Sequence, residues 1–191
     1  MQTRVMGVPR KKFTYEDLVA VPEPLVAELI DGDLLTSPRP RPRHANAASA
    51  LGGLLFDPFR RGSGGPGGWT ILGEPELRLG EDVLVPDLAG WRRERFAPVD
   101  LDTVGIKVAP DWVCEVLSPS TARIDRARKL PIYAREHVGH AWLVDPIAQT
   151  LESFQLSDDH WTLLATYEGT TKARVTPFDA IEIDLPMLWT P

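Results

Sequence analysis

Apolar residues fall along this chain in short runs, some alternating with period two and others spaced three to four apart. Thr14 followed by Asp17 has the pattern of a helix start, so Phe13 to Val21 reads as a short helix ended by Pro22 and Pro24. Val26 to Ile30 and Asp33 to Thr36 are split by Asp31-Gly32, a strong hairpin signal. Prolines at 38, 40 and 42 bar regular helix or inner strand from Ser37 to Arg43, which predicts a connector with three exposed arginines.

His44 to Arg60 is rich in Ala and Leu and reads as a helix with Leu51, Leu54 and Leu55 on its buried side. Arg61 to Gly68 is a glycine-rich loop without the Lys-Ser/Thr ending of a P-loop, so that reading is rejected. Thr70 to Leu79 and Val83 to Trp91 predict a second hairpin around Gly80-Glu81-Asp82, and Arg92 to Ala109 is irregular. Trp112 to Leu117 is nearly all apolar, as expected of a strand covered on both faces. Ser118 to Thr121 is a turn and cap. Ala122 to His137 then reads as an amphipathic helix, with Ile124, Ala127, Leu130, Tyr133 and Ala134 on one side and a kink or break at Pro131. His140 to Val144 is another buried strand, which makes the whole a strand–helix–strand crossover.

The remainder is β-rich, with runs at Leu151 to Leu156, Trp161 to Tyr167 and Ile181 to Ile183. The class is α/β or α+β: a mixed central sheet flanked by helices, with extra β-hairpins. No internal repeat or linker is visible, so residues 13–191 read as a single domain behind a flexible polar leader, residues 1–12.

Composition narrows the function. Hydrophobic residues make up 43% of the 191, enough for a packed core. No apolar run reaches the length of a membrane span. The basic leader is not followed by an apolar block, so it does not read as a secretory signal; a nucleic-acid-touching arm is the alternative to a frayed end. Cys114, the only cysteine, forms no intrachain disulfide and no thiolate zinc site, which points to a reducing cytoplasm. A net charge of −6 argues against a basic coat protein but permits a local basic groove.

The candidate chemistry lies between Asp87 and Lys129. Asp87 ends Val83-Leu84-Val85-Pro86, at a strand position sharing a face with Val85 and Ala89. Glu115 interrupts a run that should be buried, so its carboxylate is either paired or metal-bound. Two carboxylates on neighbouring strands suit a hard divalent cation. Asp87 could instead sit in a salt bridge, and Lys129 on a solvated helix face with Arg126 and Arg128. A lysine aimed at the acids would assist attack of water on a phosphodiester. Tyr133, four residues on, shares the face of Lys129 and can buttress it. Glu28, Glu74 and Glu76 are supporting candidates; the last two share a strand face, one leaning on the cation and one solvated. His44 suits either phosphate contact or helix capping. His137, His140 and His160 lack zinc-like spacing.

Taken in order, Glu28-Leu-Ile-Asp-Gly-Asp-Leu, the proline link into His44, Val85-Pro86-Asp87, Glu115-Val-Leu-Ser-Pro-Ser-Thr, Lys129 with Tyr133, and Ala141-Trp-Leu-Val-Asp-Pro146 resemble the Uma-two family of restriction-endonuclease-like proteins. The resemblance spans about residues 13 to 189. It implies the PD-(D/E)xK nuclease fold, with Asp87 and Glu115 as ligands of magnesium or manganese and Lys129 as the catalytic lysine. The superfamily's usual E-x-K would put lysine at 117, where this chain has Leu117; the lysine has moved to the following helix. The Val116 carbonyl is a further candidate ligand. Arg39, Arg41 and Arg43 would track a nucleic-acid backbone, DNA foremost.

Two functions follow as expectations. One is a metal-dependent endonuclease. The other is a catalytically silent nucleic-acid- or protein-binding module on a nuclease scaffold. Edge strands in the β-rich tail and exposed apolar groups such as Trp189 predict a homodimer.

Overall fold

A computed structural model describes residues 12–190. The leader expected at residues 1–12 therefore lies outside the described residues except for Lys12, whose ammonium is 3.2 Å from Glu81. The helices are α1 (Tyr15–Val19), α2 (Pro42–Leu55), α3 (Arg93–Phe96), α4 (Ala122–Ile124), α5 (Leu130–Arg135) and α6 (Pro186–Trp189). The strands are β1 (Leu25–Ile30), β2 (Asp33–Pro38), β3 (Trp69–Gly73), β4 (Leu77–Leu79), β5 (Asp82–Leu84), β6 (Leu88–Arg92), β7 (Trp112–Val116), β8 (His140–Asp145), β9 (Thr150–Ser157), β10 (His160–Glu168), β11 (Lys172–Ala173) and β12 (Ile183–Asp184).

The main sheet is six-stranded in the order β10-β9-β8-β7-β6-β3. Only β7 and β8 run parallel, as their helical crossover requires; the other pairs are antiparallel. A second sheet has the order β2-β1-β5-β4. Asp31 and Gly32 both have positive φ (53° and 79°), the geometry a tight hairpin needs, and this turn joins β1 to β2 as its Asp-Gly pair predicts.

Side chains alternate across the main sheet. Trp112, Cys114 and Val116 of β7 and Trp142 and Val144 of β8 pack with α2 and the C-terminal segment. Val113 and Leu117, with Ala141 and Leu143, pack against α5 and the second sheet. Phe178 plugs the first core, its ring 4.7–5.5 Å from those of Phe59, Trp69, Trp112 and Trp142. Gly90 of β6 permits this packing, because a Cβ there would lie 3.1 Å from Trp112 and 3.3 Å from Trp69.

Several elements differ from expectation. The second hairpin is bent into two. β3 pairs with β6 in the main sheet, whereas β4 and β5 belong to the other. The bends fall at Glu74-Pro75-Glu76 and Val85-Pro86-Asp87, because proline cannot donate a ladder bond. Asp87 therefore sits in a link just before β6, not within a strand, and Glu74 and Glu76 do not share a strand face. The proline connector is also shorter than predicted. Ser37 and Pro38 finish β2, an edge strand, and Pro42 opens α2 from the first turn, where a missing N–H costs nothing.

The crossover helix is not a uniform α-helix. Between α4 and α5, Asp125–Lys129 form a π-helical turn. Pro131, two residues beyond Lys129, offers no N–H to a regular ladder. The widened turn buries Asp125 and Lys129 and leaves Ala127 exposed, contrary to the predicted apolar face. Trp189 is also not exposed: it is 7% accessible, with its indole N–H donating to the Gly169 carbonyl at 2.8 Å.

Candidate active site

Glu115 shares a face of the β7 segment with Val113 and Leu117, which pack against α5, so its carboxylate points into that side of the fold, only 3% exposed. Tyr133 Oη donates to Oε1 at 2.6 Å and Lys129 Nζ to Oε2 at 3.3 Å. Burial pushes the Glu115 carboxyl well above its ordinary range; Lys129 opposes the rise, and Asp125, Asp87 and Glu28 add to it. Tyr133 is likewise pushed up by burial and by the neighbouring Glu115 carboxylate, so it remains a hydrogen-bond donor.

Lys129 is 4% exposed and ringed by acids. Its Nζ is 2.8 Å from Glu28 Oε1, 3.3 Å from Glu115 Oε2 and 3.6 Å from Asp125 Oδ1. Burial favours the neutral amine, but these carboxylates outweigh it and hold Lys129 protonated. Glu28 is fixed in turn by the backbone N–H of Val85 at 2.8 Å.

Asp87 completes the group from the other side. Its Oδ2 accepts the Val116 N–H at 2.7 Å, and its Oδ1 is 3.3 Å from His44 Nε2. Burial pulls His44 downward, but Asp87 and the Val116 carbonyl outweigh it, and the imidazole titrates above its ordinary value. The other ring nitrogen, Nδ1, is buried with no hydrogen-bond partner among the described residues.

All of these residues except Tyr133 line one open cleft of about 470 Å3, between the start of β6, the end of β7, the start of α2 and the crossover helix. Arg39, Arg41 and Arg43 are exposed along it, as predicted. Arg39 is 3.8 Å from Glu74, a further cleft residue, and Arg43 donates to the Pro146 carbonyl at 3.4 Å. Glu76 is not part of the cleft; it accepts from Arg78 at 2.9 Å and from Tyr15 at 3.2 Å. His137 pairs at the surface with Asp159, 3.7 Å away.

Sequence reasoning missed Asp125, which is 2% exposed and lines the cleft. A signal existed: Asp125, Lys129 and Tyr133 recur at four-residue spacing. Burial pushes the Asp125 carboxyl up to about 6; Lys129 and a hydrogen bond from Thr121 oppose the rise, and Glu28 and Asp87 add to it.

Among the described residues no three His, Cys, Asp or Glu side chains converge as a metal cluster. A site of two carboxylates and a backbone carbonyl needs no third such side chain, and its all-oxygen donor set suits a hard cation. Charge fits as well. Glu28, Glu115 and Asp125 surround one lysine, and the His44 imidazole already rests against Asp87 and the Val116 carbonyl, where a cation would be attracted.

A mixed six-stranded sheet flanked by helices, with buried acids and a lysine beside the strand ends, defines the restriction-endonuclease-like class. The chain belongs to the Uma2 family, described as "Putative restriction endonuclease", whose model matches residues 14–187. It is similar to the crystal structure of a "putative nuclease belonging to DUF820" from Anabaena variabilis ATCC 29413. The two share 19% identity over 93% of this chain and 97% of that one, with a TM-score of 0.72, a likeness of fold. No curated protein matches the chain.

Proposed function

We propose that this chain is a magnesium- or manganese-dependent endonuclease acting on DNA. The observation that carries the reading is the placement of Lys129 and Glu115 in the same open cleft as Asp87. Asp87, Glu115 and the Val116 carbonyl would hold the cation, with Glu74, which lines the same cleft, as a supporting acid. When bound, the cation supplies Lewis acidity and offsets charge on the phosphoryl oxygens.

The side chains supply the rest. Tyr133 fixes Glu115, and His44 fixes Asp87. The Lys129 ammonium orients the attacking water and stabilises charge in the transition state. Arg41 and Arg43 hold the phosphate backbone in register. Water adds to phosphorus as one phosphate ester bond breaks. The proton lost by water leaves to solvent and the departing oxygen gains one, giving a phosphomonoester and an alcohol.

The test is cleavage of supercoiled and single-stranded DNA with manganese, magnesium or EDTA, beside Asp87→Ala and Lys129→Ala proteins whose folding is checked by circular dichroism. Metal-dependent cutting by the parent, lost in both variants, is expected. Cutting by Asp87→Ala at the parent rate would sink the assignment.

A second reading is a silent binding module. It is favoured by the internal pairing of both candidate ligands, Asp87 by His44 and Val116 N–H, Glu115 by Lys129 and Tyr133. It predicts no cutting and no manganese-induced rise in Tm, whereas a ligand that binds only the folded state raises Tm. For assembly, we propose a homodimer through β10, which edges the main sheet and leaves Leu163 49% and Leu164 43% exposed. A monomeric mass in sedimentation equilibrium would refute it.

A further inference from the structure

We propose that Asp125 is a positioning residue for Lys129, its carboxylate carried inward by the π-helical turn to fix the ammonium against Glu28 and Glu115. The inference deepens the nuclease reading and rests on it.

The backbone provides the first argument. In an α-helix, residues four apart drift about 40° around the axis, so Asp125, Lys129 and Tyr133 would spread over about 80°. The structure instead inserts a wider turn at Asp125–Lys129, closed by a bond from Leu130 N–H to the Asp125 carbonyl. All three side chains are then buried at 4% exposure or less, while Arg126 and Ala127 face outward. π-helical turns often accompany functional sites because they re-aim side chains at a cost in regular hydrogen bonding.

Charge provides the second. Lys129 already has Glu28 at 2.8 Å and Glu115 at 3.3 Å, which suffice to neutralise it. A third buried carboxylate adds repulsion instead of pairing, so stability alone does not account for Asp125. What it adds is direction. Glu28 and Glu115 lie within hydrogen-bond reach of the ammonium, and Asp125 at 3.6 Å attracts it as an ion-pair partner, so carboxylates on three separate elements fix where the charge sits and leave an N–H for water. Asp125 is anchored on its other side by Thr121, whose hydroxyl lies 3.0 Å from that of Ser118 at the cleft wall.

The test compares the parent with Asp125→Asn and Asp125→Glu. Without DNA or divalent cation, the rate of reductive methylation of Lys129 is followed by mass spectrometry. Loss of the carboxylate should free the ammonium from one of its partners and speed methylation several-fold. In cleavage assays, Asp125→Asn should lose about tenfold or more in kcat with KM for DNA within about twofold, and Asp125→Glu should recover part of it. Manganese should raise Tm equally in the parent and Asp125→Asn. A parental methylation rate and kcat in Asp125→Asn would overturn the proposal. Loss of the manganese shift would also overturn it, by making Asp125 a ligand. If the parent does not cut DNA, the nuclease reading fails, and the methylation rates still decide whether Asp125 holds Lys129.

Discussion

The backbone N–H of Val116 donates to Asp87 Oδ2 at 2.7 Å, tying the bent link before β6 to the end of β7. One bond thus fixes the position of a candidate cation ligand and the orientation of the peptide whose carbonyl is another. Asp87→Ala would leave a partly buried N–H without its partner, at a cost of about 1–3 kcal/mol. Urea unfolding should show that loss even if the protein proves inert on DNA. Asp87→Asn keeps an acceptor for Val116, so it should recover most of the stability while still failing to cut.

Tyr133→Phe removes the only neutral donor to Glu115 among the described residues. A hydrogen bond to a charged group is worth about 1.5–3 kcal/mol, and the unfolding midpoint should fall accordingly at pH 8. The loss should shrink at low pH, where a protonated Glu115 no longer demands the donor. An equal loss at pH 5 and pH 8 would contradict this account of the pair.

Asp125 gives a stability prediction of opposite sign. Its carboxyl titrates at about 6 in the folded protein, against an ordinary value of 3.8. The folded state therefore holds the proton more tightly than the unfolded chain, and stability falls as pH rises from about 4 through about 6. Asp125→Asn removes that penalty. The variant should resist urea better than the parent at pH 8, and its advantage should vanish near pH 4. A residue that costs stability where it sits in a cleft is the usual sign of a functional constraint.

Arg41 is exposed beside the cleft, at the start of α2. If it meets a phosphate, Arg41→Gln should weaken DNA binding about equally across sequences and reduce the slope of log K against log salt by about one. Fluorescence anisotropy in EDTA, where cutting is suppressed, measures this directly. An unchanged slope would remove Arg41 from the interface.

Much of the fold was legible because its signals are local. Asp31-Gly32 demands positive φ, and the chain turns there. The apolar runs at Trp112 and His140 are buried on both faces because a crossover leaves both sides of β7 and β8 covered. A carboxylate inside such a run has no solvent to reach, so Glu115 stood out without any knowledge of its partners.

What the sequence could not supply depends on contacts between distant segments. Glu74 and Glu76 look equivalent in sequence. One lines the cleft and the other pairs with Arg78 and Tyr15, because the strand breaks between them at Pro75. Trp189 looks exposed near the C-terminus, but the tail folds back onto the first core and buries it. The face of the crossover helix was misjudged because helical periodicity presumes a uniform turn, and the π-helical segment breaks it. By itself the sequence determined the main helices and strands in order, the hairpin turn and the residue types able to bind a cation. Only the tertiary structure decided that Asp125 joins Lys129 and that Asp87 meets Val116. Burial and charge pairing belong to positions in space, and the linear order of residues does not specify them.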